Sequence, residues 1–232
     1  AMEAGAEAEA EAAEEPAVEE LLAMDALEIE IGYGLVQLVD AARGGDLLDR
    51  ISAIRRQLAV ELGLVVPPVR IRDNVQLDAS SYRVKLRGEA IATGVLHPNL
   101  LMAMAAGMAT EPIDGLAGRE PAFDLDVVWI EPDQRGRADM LGYTVVDAAS
   151  VLSTHLAELI RSHAAELVTR EEVGRLVEQL KASSPKLVEE TVPAVVKPGE
   201  LQKVLQNLLL ERVPIRDLET ILETLADWAP HS

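Results

Sequence analysis

Cysteine is missing from all 232 residues. That removes disulfides, thiol nucleophiles and thiolate metal sites together, and a reducing cytosol is the expected setting. Aromatic residues are nearly missing too: one Phe, two Trp and three Tyr in a chain that is 49% hydrophobic, so a core must come from Leu, Val, Ile and Ala. Cations are few, with 21 Lys and Arg against 40 Asp and Glu and a formal net charge of -19. Gripping a polyphosphate takes a basic face, so nucleic acid is excluded as a partner and basic or neutral partners are favoured. No apolar run approaches the ~18 residues of a membrane span. The nearest is "LLMAMAAGMA" at 100–109, and nothing at the start resembles a secretion signal. The expectation is a chain that is not membrane-inserted, and a fragment of something longer.

What is present divides along the chain. Residues 1–20 hold eight Glu and no basic residue, so 1–25 reads as an acidic linker. "LEIEI" then sets Leu27, Ile29 and Ile31 against Glu28 and Glu30, the period of a strand with one wet face, broken at Gly32 and Gly34. From Asp46 to Leu62 the apolar residues Leu47, Leu48, Ile51, Ile54, Leu58 and Leu62 follow helical spacing. Asp46 is the expected cap and Gly63 the stop. "PPVRIRDNVQL" and "YRVKLRGEAIATGVL" alternate again, with turns at Asp73-Asn74 and Arg87-Gly88, giving a βαββ order with a hairpin. Residues 99–147 turn rich in Gly, Pro and Asp, with short strands in "DVVWI" and "GYTVV". A helix is expected over Ala149–Val168, and it returns to the first sheet if 99–147 is an insertion.

From 168 onward the pattern is helical. Thr169 to Glu172 reads as a capping box, Ser184-Pro185 and Pro214 as helix starts, and Leu201, Val204, Leu205, Leu208 and Leu209 as a buried stripe. The fold class expected is α+β with several subdomains. A first α/β subdomain takes 26–98 and 148–167, an α/β subdomain is inserted at 99–147, and an all-helical subdomain takes 168–232.

Candidate chemistries fail on spacing. His155 and His163 stand eight apart on one helix, where a metal pair needs three or four, so neither a metal nor another cofactor is expected and His155 reads as a core or boundary residue. "GYG" and "RGGD" make no phosphate loop, and Ser80-Ser81 and Ser183-Ser184 lack a nucleophile elbow, the latter pair reading as a helix cap. "RIRDN" reads as a strand entering a turn, with Arg70 and Arg72 on the wet face. No catalytic constellation remains.

The lone Phe123 sits in "REPAFDLD" among Glu120, Asp124 and Asp126, and is either a plug in a seam or an anchor offered to a partner. At 100° per residue, Val151, Leu152, His155, Leu156, Leu159, Ile160 and His163 share one side of their helix. Thr154, Glu158, Arg161 and Ala165 lie opposite, so Thr154 looks outward.

The runs "LEIEIGYGL", "GGDLLDRISAIRRQLAVELGLVVPPVRIRDN", "PAFDLDVVWI", "GYTVVDAASVLSTHL", "PKLVEETVPAVV" and "LQKVLQNLLLERVPIRDLETILETLADWAP" follow in order from Leu27 to Pro230. Together they resemble the cytoplasmic part of the FlhA family (FlhA, LcrD, InvA) of type III secretion export gates, in its flagellar branch. The resemblance implies a membrane half and a small fourth subdomain that this chain does not carry, and a nine-membered ring on the cytoplasmic face of the bacterial inner membrane. It also implies a non-enzymatic platform that docks flagellar export chaperones with their substrates and meets other export-apparatus proteins.

The family's chaperone site is a dimple marked by an Asp three residues before the Phe of "PAF", that Phe, and the Thr of "ATHL". These fall on Glu120, Phe123 and Thr154, with Glu in place of Asp and Ser153 in place of Ala. The alternatives are the homologous gate of a virulence secretion system, and a small-molecule enzyme using acids around Asp114 in a closed polar pocket.

Overall fold

The computed structural model describes residues 24–105, 107, 109 and 111–228. The acidic linker therefore lies, up to residue 23, outside the described residues.

Strand β1 (Leu27–Ile31) turns Leu27, Ile29 and Ile31 into the core as its alternation requires. Its other face carries Glu28 and Glu30 against Arg72, Arg83 and Lys85 of the neighbouring strands. Burial pushes the Glu30 carboxyl up, but hydrogen bonds from Lys85 and Asn74 and the charges of Lys85 and Arg83 hold it below the usual range. Helix α1 (Leu47–Leu62) crosses over to β2 (Val69–Asp73), which pairs parallel with β1. Gly63 ends α1 at φ 80°, the left-handed conformation that a glycine adopts freely. The Asp46 side chain does not cap α1; it accepts from Arg50 Nε at 2.8 Å. Leu48 is exposed.

β3 (Ser81–Leu86) runs antiparallel to β1 and turns back at Arg87-Gly88 into β4 (Glu89–Val95). Both turn residues have positive φ, 49° and 82°, as a two-residue hairpin of the matching twist demands. The sheet order is β2-β1-β3-β4.

A second sheet, β6-β7-β5-β8, is built from β5 (Leu101–Ala105), β6 (Leu116–Glu120), β7 (Leu125–Ile130) and β8 (Tyr143–Asp147). It has twice the strands that sequence patterning gave this segment, together with a short helix α2 (Arg135–Met140). Met102, Val127 and Trp129 on one face join the core of the first sheet, and Ala103, Ile130 and Val145 on the other pack with Ile113 and Ala138.

The return helix α3 (Ala148–Ser162) packs along α1. It does not run on to Val168: the helix breaks at His163, whose backbone leaves the helical conformation, and restarts as α4 (Ala164–Leu167). Ala165, expected to face outward on an unbroken helix, is consequently buried.

Four helices complete the described residues, α5 (Arg170–Ser183), α6 (Pro185–Thr191), α7 (Pro198–Leu210) and α8 (Leu218–Trp228). Thr169 caps α5 by accepting from Glu172 N at 3.1 Å. The return half of the capping box is absent, because the buried Glu172 carboxylate accepts from Val65 N instead and ties α5 to the end of α1. Ser184 does not cap α6 but donates to Glu219, and α8 starts at Leu218, four residues after Pro214, with Asp217 before it accepting from Thr220 N and Oγ1. One continuous core runs from β1 through α3 to Leu201, Leu205 and Leu222. Among the described residues no helix is long and apolar enough to cross a membrane.

Candidate functional site

The β6–β7 hairpin closes at the pair Glu120 and Leu125, leaving Pro121 to Asp124 as its tip. Pro121 suits a turn because its φ is preset and it has no N–H to satisfy. Asp124 sits at φ 56°, a left-handed conformation that costs most residues energy and that Asp tolerates. Arg119 holds it there, donating through Nε and Nη2 to the Asp124 carboxylate at 2.6 Å, through Nη2 to the Asp124 carbonyl at 2.9 Å, and through Nη1 to Asp126 at 2.8 Å.

Glu120 works from below. Its carboxylate is 2% exposed and accepts from Ala122 N at 3.0 Å and from Phe123 N at 2.7 Å. Charge-assisted bonds of this kind are roughly twice as strong as neutral ones. The tip is thus clamped on two sides, and it leaves the Phe123 side chain 59% exposed.

Phe123 borders a groove of about 430 Å³ between α1 and α3. Ile54 and Gln57 line one wall, and Ser153, Thr154 and Ala157 the other. Thr154 is exposed, as the helical wheel requires. Phe123 and Thr154 therefore meet at one groove. Glu120 does not line it: the acid expected beside them at the surface is spent inside the turn, where two backbone N–H groups satisfy it.

The groove's cations are already paired. Arg50 donates to Asp46, to Ser150 Oγ at 2.6 Å and to Asp147 at 3.1 Å, bridging α1 to the start of α3. Burial pushes the Asp147 carboxyl up, but the Ser150 hydrogen bonds and Arg50 bring it below its ordinary value. Arg161 pairs with Glu61 across the same two helices at 2.7 Å, which lowers the Glu61 carboxyl. Sequence reasoning missed this α1 wall. Arg50 stands out only as a member of a small basic group, and its partner Asp147 is 97 positions away.

His155 faces inward, 5% exposed, with Nδ1 2.6 Å from the Tyr82 hydroxyl. His163 is half-buried at the helix break, and among the described residues no group of three His, Asp or Glu is placed to hold a metal. Asp114 is exposed, not enclosed. A larger groove of about 690 Å³, where α1, α5 and the start of α8 meet, contains neither Phe123 nor Thr154.

Residues 1–232 match the model of the FHIPEP family. The chain is 51% identical over 223 residues to the flagellar biosynthesis protein FlhA of Bacillus subtilis, covering 96% of this chain and 33% of that protein. It thus spans about a third of the length of the curated relatives it matches. Among solved structures it is similar to the Chlamydia pneumoniae CdsV and CdsO protein complex, with TM-score 0.78 at 21% identity over 90% of this chain and 66% of that one. It is also similar to the nonameric SctV-C of EPEC, with TM-score 0.68 at 20% identity over 90% and 61%. At such identities the likeness is one of fold.

Proposed function

The chain belongs to the FHIPEP family, and on that footing we propose that it is a non-enzymatic piece of a flagellar protein-export gate. In this reading it lies on the cytoplasmic face of the inner membrane and docks chaperone–substrate complexes at the Phe123 groove. The observation that carries the docking is the hairpin tip: a chain with one phenylalanine keeps it largely exposed, clamps the turn beneath it with Arg119 and Glu120, and sets it beside Thr154 over a groove. A rigidly presented aromatic beside a concave surface is the usual form of a protein–protein hot spot.

The flagellar branch is supported by relatives named for flagellar biosynthesis, and self-association into a ring by the nonameric assembly of a structural relative. We read residues 99–147 as the inserted subdomain that brings Phe123 to the first subdomain's helices, and 168–232 as the helical subdomain. Calorimetric titration with a flagellar chaperone–filament protein complex tests the site. Phe123→Ala should weaken binding strongly with its melting temperature unchanged; undiminished binding would move docking elsewhere.

A further inference from the structure

We propose that the outer edge of β4 takes up an extended, neutral or basic peptide segment of a partner protein as a fifth strand of the first sheet. This site is separate from the Phe123 groove and does not rest on it. β4 ends the order β2-β1-β3-β4, and among the described residues no strand pairs with its far side. The register slips between Val84 and Lys85, a bulge that leaves Ala92 to Val95 as the regular stretch of the edge.

Which backbone groups face outward follows from the bonds on the near side. Leu96 N donates to the Ser80 carbonyl at 2.8 Å, and the carbonyl of Ser81, the residue opposite Val95, is turned away from β4 to accept from Gly32 N at 2.8 Å. Bonded and unbonded pairs alternate along an antiparallel ladder, so Gly94 and Leu96 bond inward while Thr93 and Val95 present N–H and C=O to the open edge. Both residues are exposed, Val95 by 51%.

Edge strands are ordinarily blunted by charge or proline. β2 carries Arg70, Arg72 and Asp73, and β6 carries Arg119, whereas "ATGV" at 92–95 has neither device. A recess of about 260 Å³ adjoins this stretch, bordered by Leu77, Asp78 and Thr93 to Val95. Free main-chain groups beside a recess for a side chain are how a sheet recruits a strand, the main chain supplying affinity and the recess selectivity.

Charge selects the occupant. Asp78 borders the recess and Glu89 opens the strand, both exposed, while Arg83, opposite Thr93, is tied to Glu30 at 3.3 Å. A second copy of this chain would bring a formal charge of -19, and residues 1–20 would bring eight Glu, so both meet repulsion that a neutral or basic segment does not.

The test uses the whole chain, ¹⁵N-labelled, titrated with a synthetic peptide that alternates threonine and valine between two terminal lysines. The Thr93 and Val95 amides should shift saturably and exchange more slowly with solvent. The same peptide N-methylated along its length keeps its side chains but has no donors, and should bind about tenfold or more weakly. Thr93→Pro removes one outward donor without touching the ladder to β3, and should weaken binding about three- to tenfold, the size of one hydrogen bond's net contribution. A peptide ending in glutamates should bind less well than the lysine form, and salt should narrow the difference. Still Thr93 and Val95 amides at millimolar peptide, an N-methylated peptide that binds as tightly as its parent, or undiminished binding by a folded Thr93→Pro would each overturn the proposal. Self-association of the chain that Thr93→Pro abolishes would overturn it as well, by putting a second copy in the peptide's place.

Discussion

Replacing Glu120 by Ala removes the acceptor of two backbone hydrogen bonds at a site that is 2% exposed. Each orphaned N–H costs ~1–3 kcal/mol when water cannot reach it. Ala122 and Phe123 lie at a tip that water can partly reach, so the lower half of that range applies. The variant should lose about 3 kcal/mol, which for a chain of this size is a fall of roughly 6–12 °C in melting temperature. Glu120→Gln keeps one acceptor oxygen but sets an amide donor against the other N–H, and should lose about half as much. Glu120→Asp keeps the charge on a shorter arm and should lose least of the three. Thermal unfolding followed by circular dichroism gives the order, and hydrogen exchange at the Phe123 amide locates the effect. If Glu120→Ala unfolds within a degree of wild type and its Phe123 amide exchanges no faster, the carboxylate is not what holds the turn.

Arg119→Gln should leave the melting temperature nearly unchanged, because the Arg119 pairs are exposed, yet speed hydrogen exchange at Asp124, whose left-handed backbone Arg119 clasps. Acidification should destabilise the protein in two steps. The imidazoles of His155 and His97 are lowered from 6.5 by burial, so the unfolded chain binds their protons first and stability is lost as pH falls below about 6.5. The lowered carboxyls of Glu30 and Asp147 contribute stability above their ordinary 4.5 and 3.8 that is lost as pH falls through those values toward their folded ones. His155→Asn should flatten the upper step in a pH series of urea melts, and an unaltered upper step would refute the assignment. Gly94→Ala should cost ~1–3 kcal/mol by driving a methyl into the Tyr82 ring, readable as a lowered urea midpoint at constant slope.

The elements legible in the sequence were those with one wet face. β1 shows itself by Glu28 and Glu30 alternating with Leu27, Ile29 and Ile31, and α1 by an apolar stripe closed with Gly63. β5 and β6 escaped for opposite reasons. "LMAMA" packs into a core on each face, through Met102 and Ala103, and has no β-branched residue, while "LAGRE" is an edge strand carrying a glycine and charges. The break at His163 has neither Pro nor Gly to announce it, and Asp217 took the capping role that Pro214 was expected to signal.

At the site, scarcity drew attention to Phe123 and periodicity turned Thr154 outward. Glu120 was readable only as an acid. Its burial and its hold on the Ala122 and Phe123 N–H groups belong to the folded hairpin and leave no mark in the local sequence.

A photo-crosslinking side chain placed at Thr154 reports most directly on whether the groove is the docking face. With the chaperone–filament protein complex it should give a covalent adduct to the chaperone that Phe123→Ala abolishes. The same group at Leu210, exposed on α7, should give none. Equal adducts from both positions, or an adduct at Thr154 indifferent to Phe123→Ala, would contradict a docking face built around Phe123.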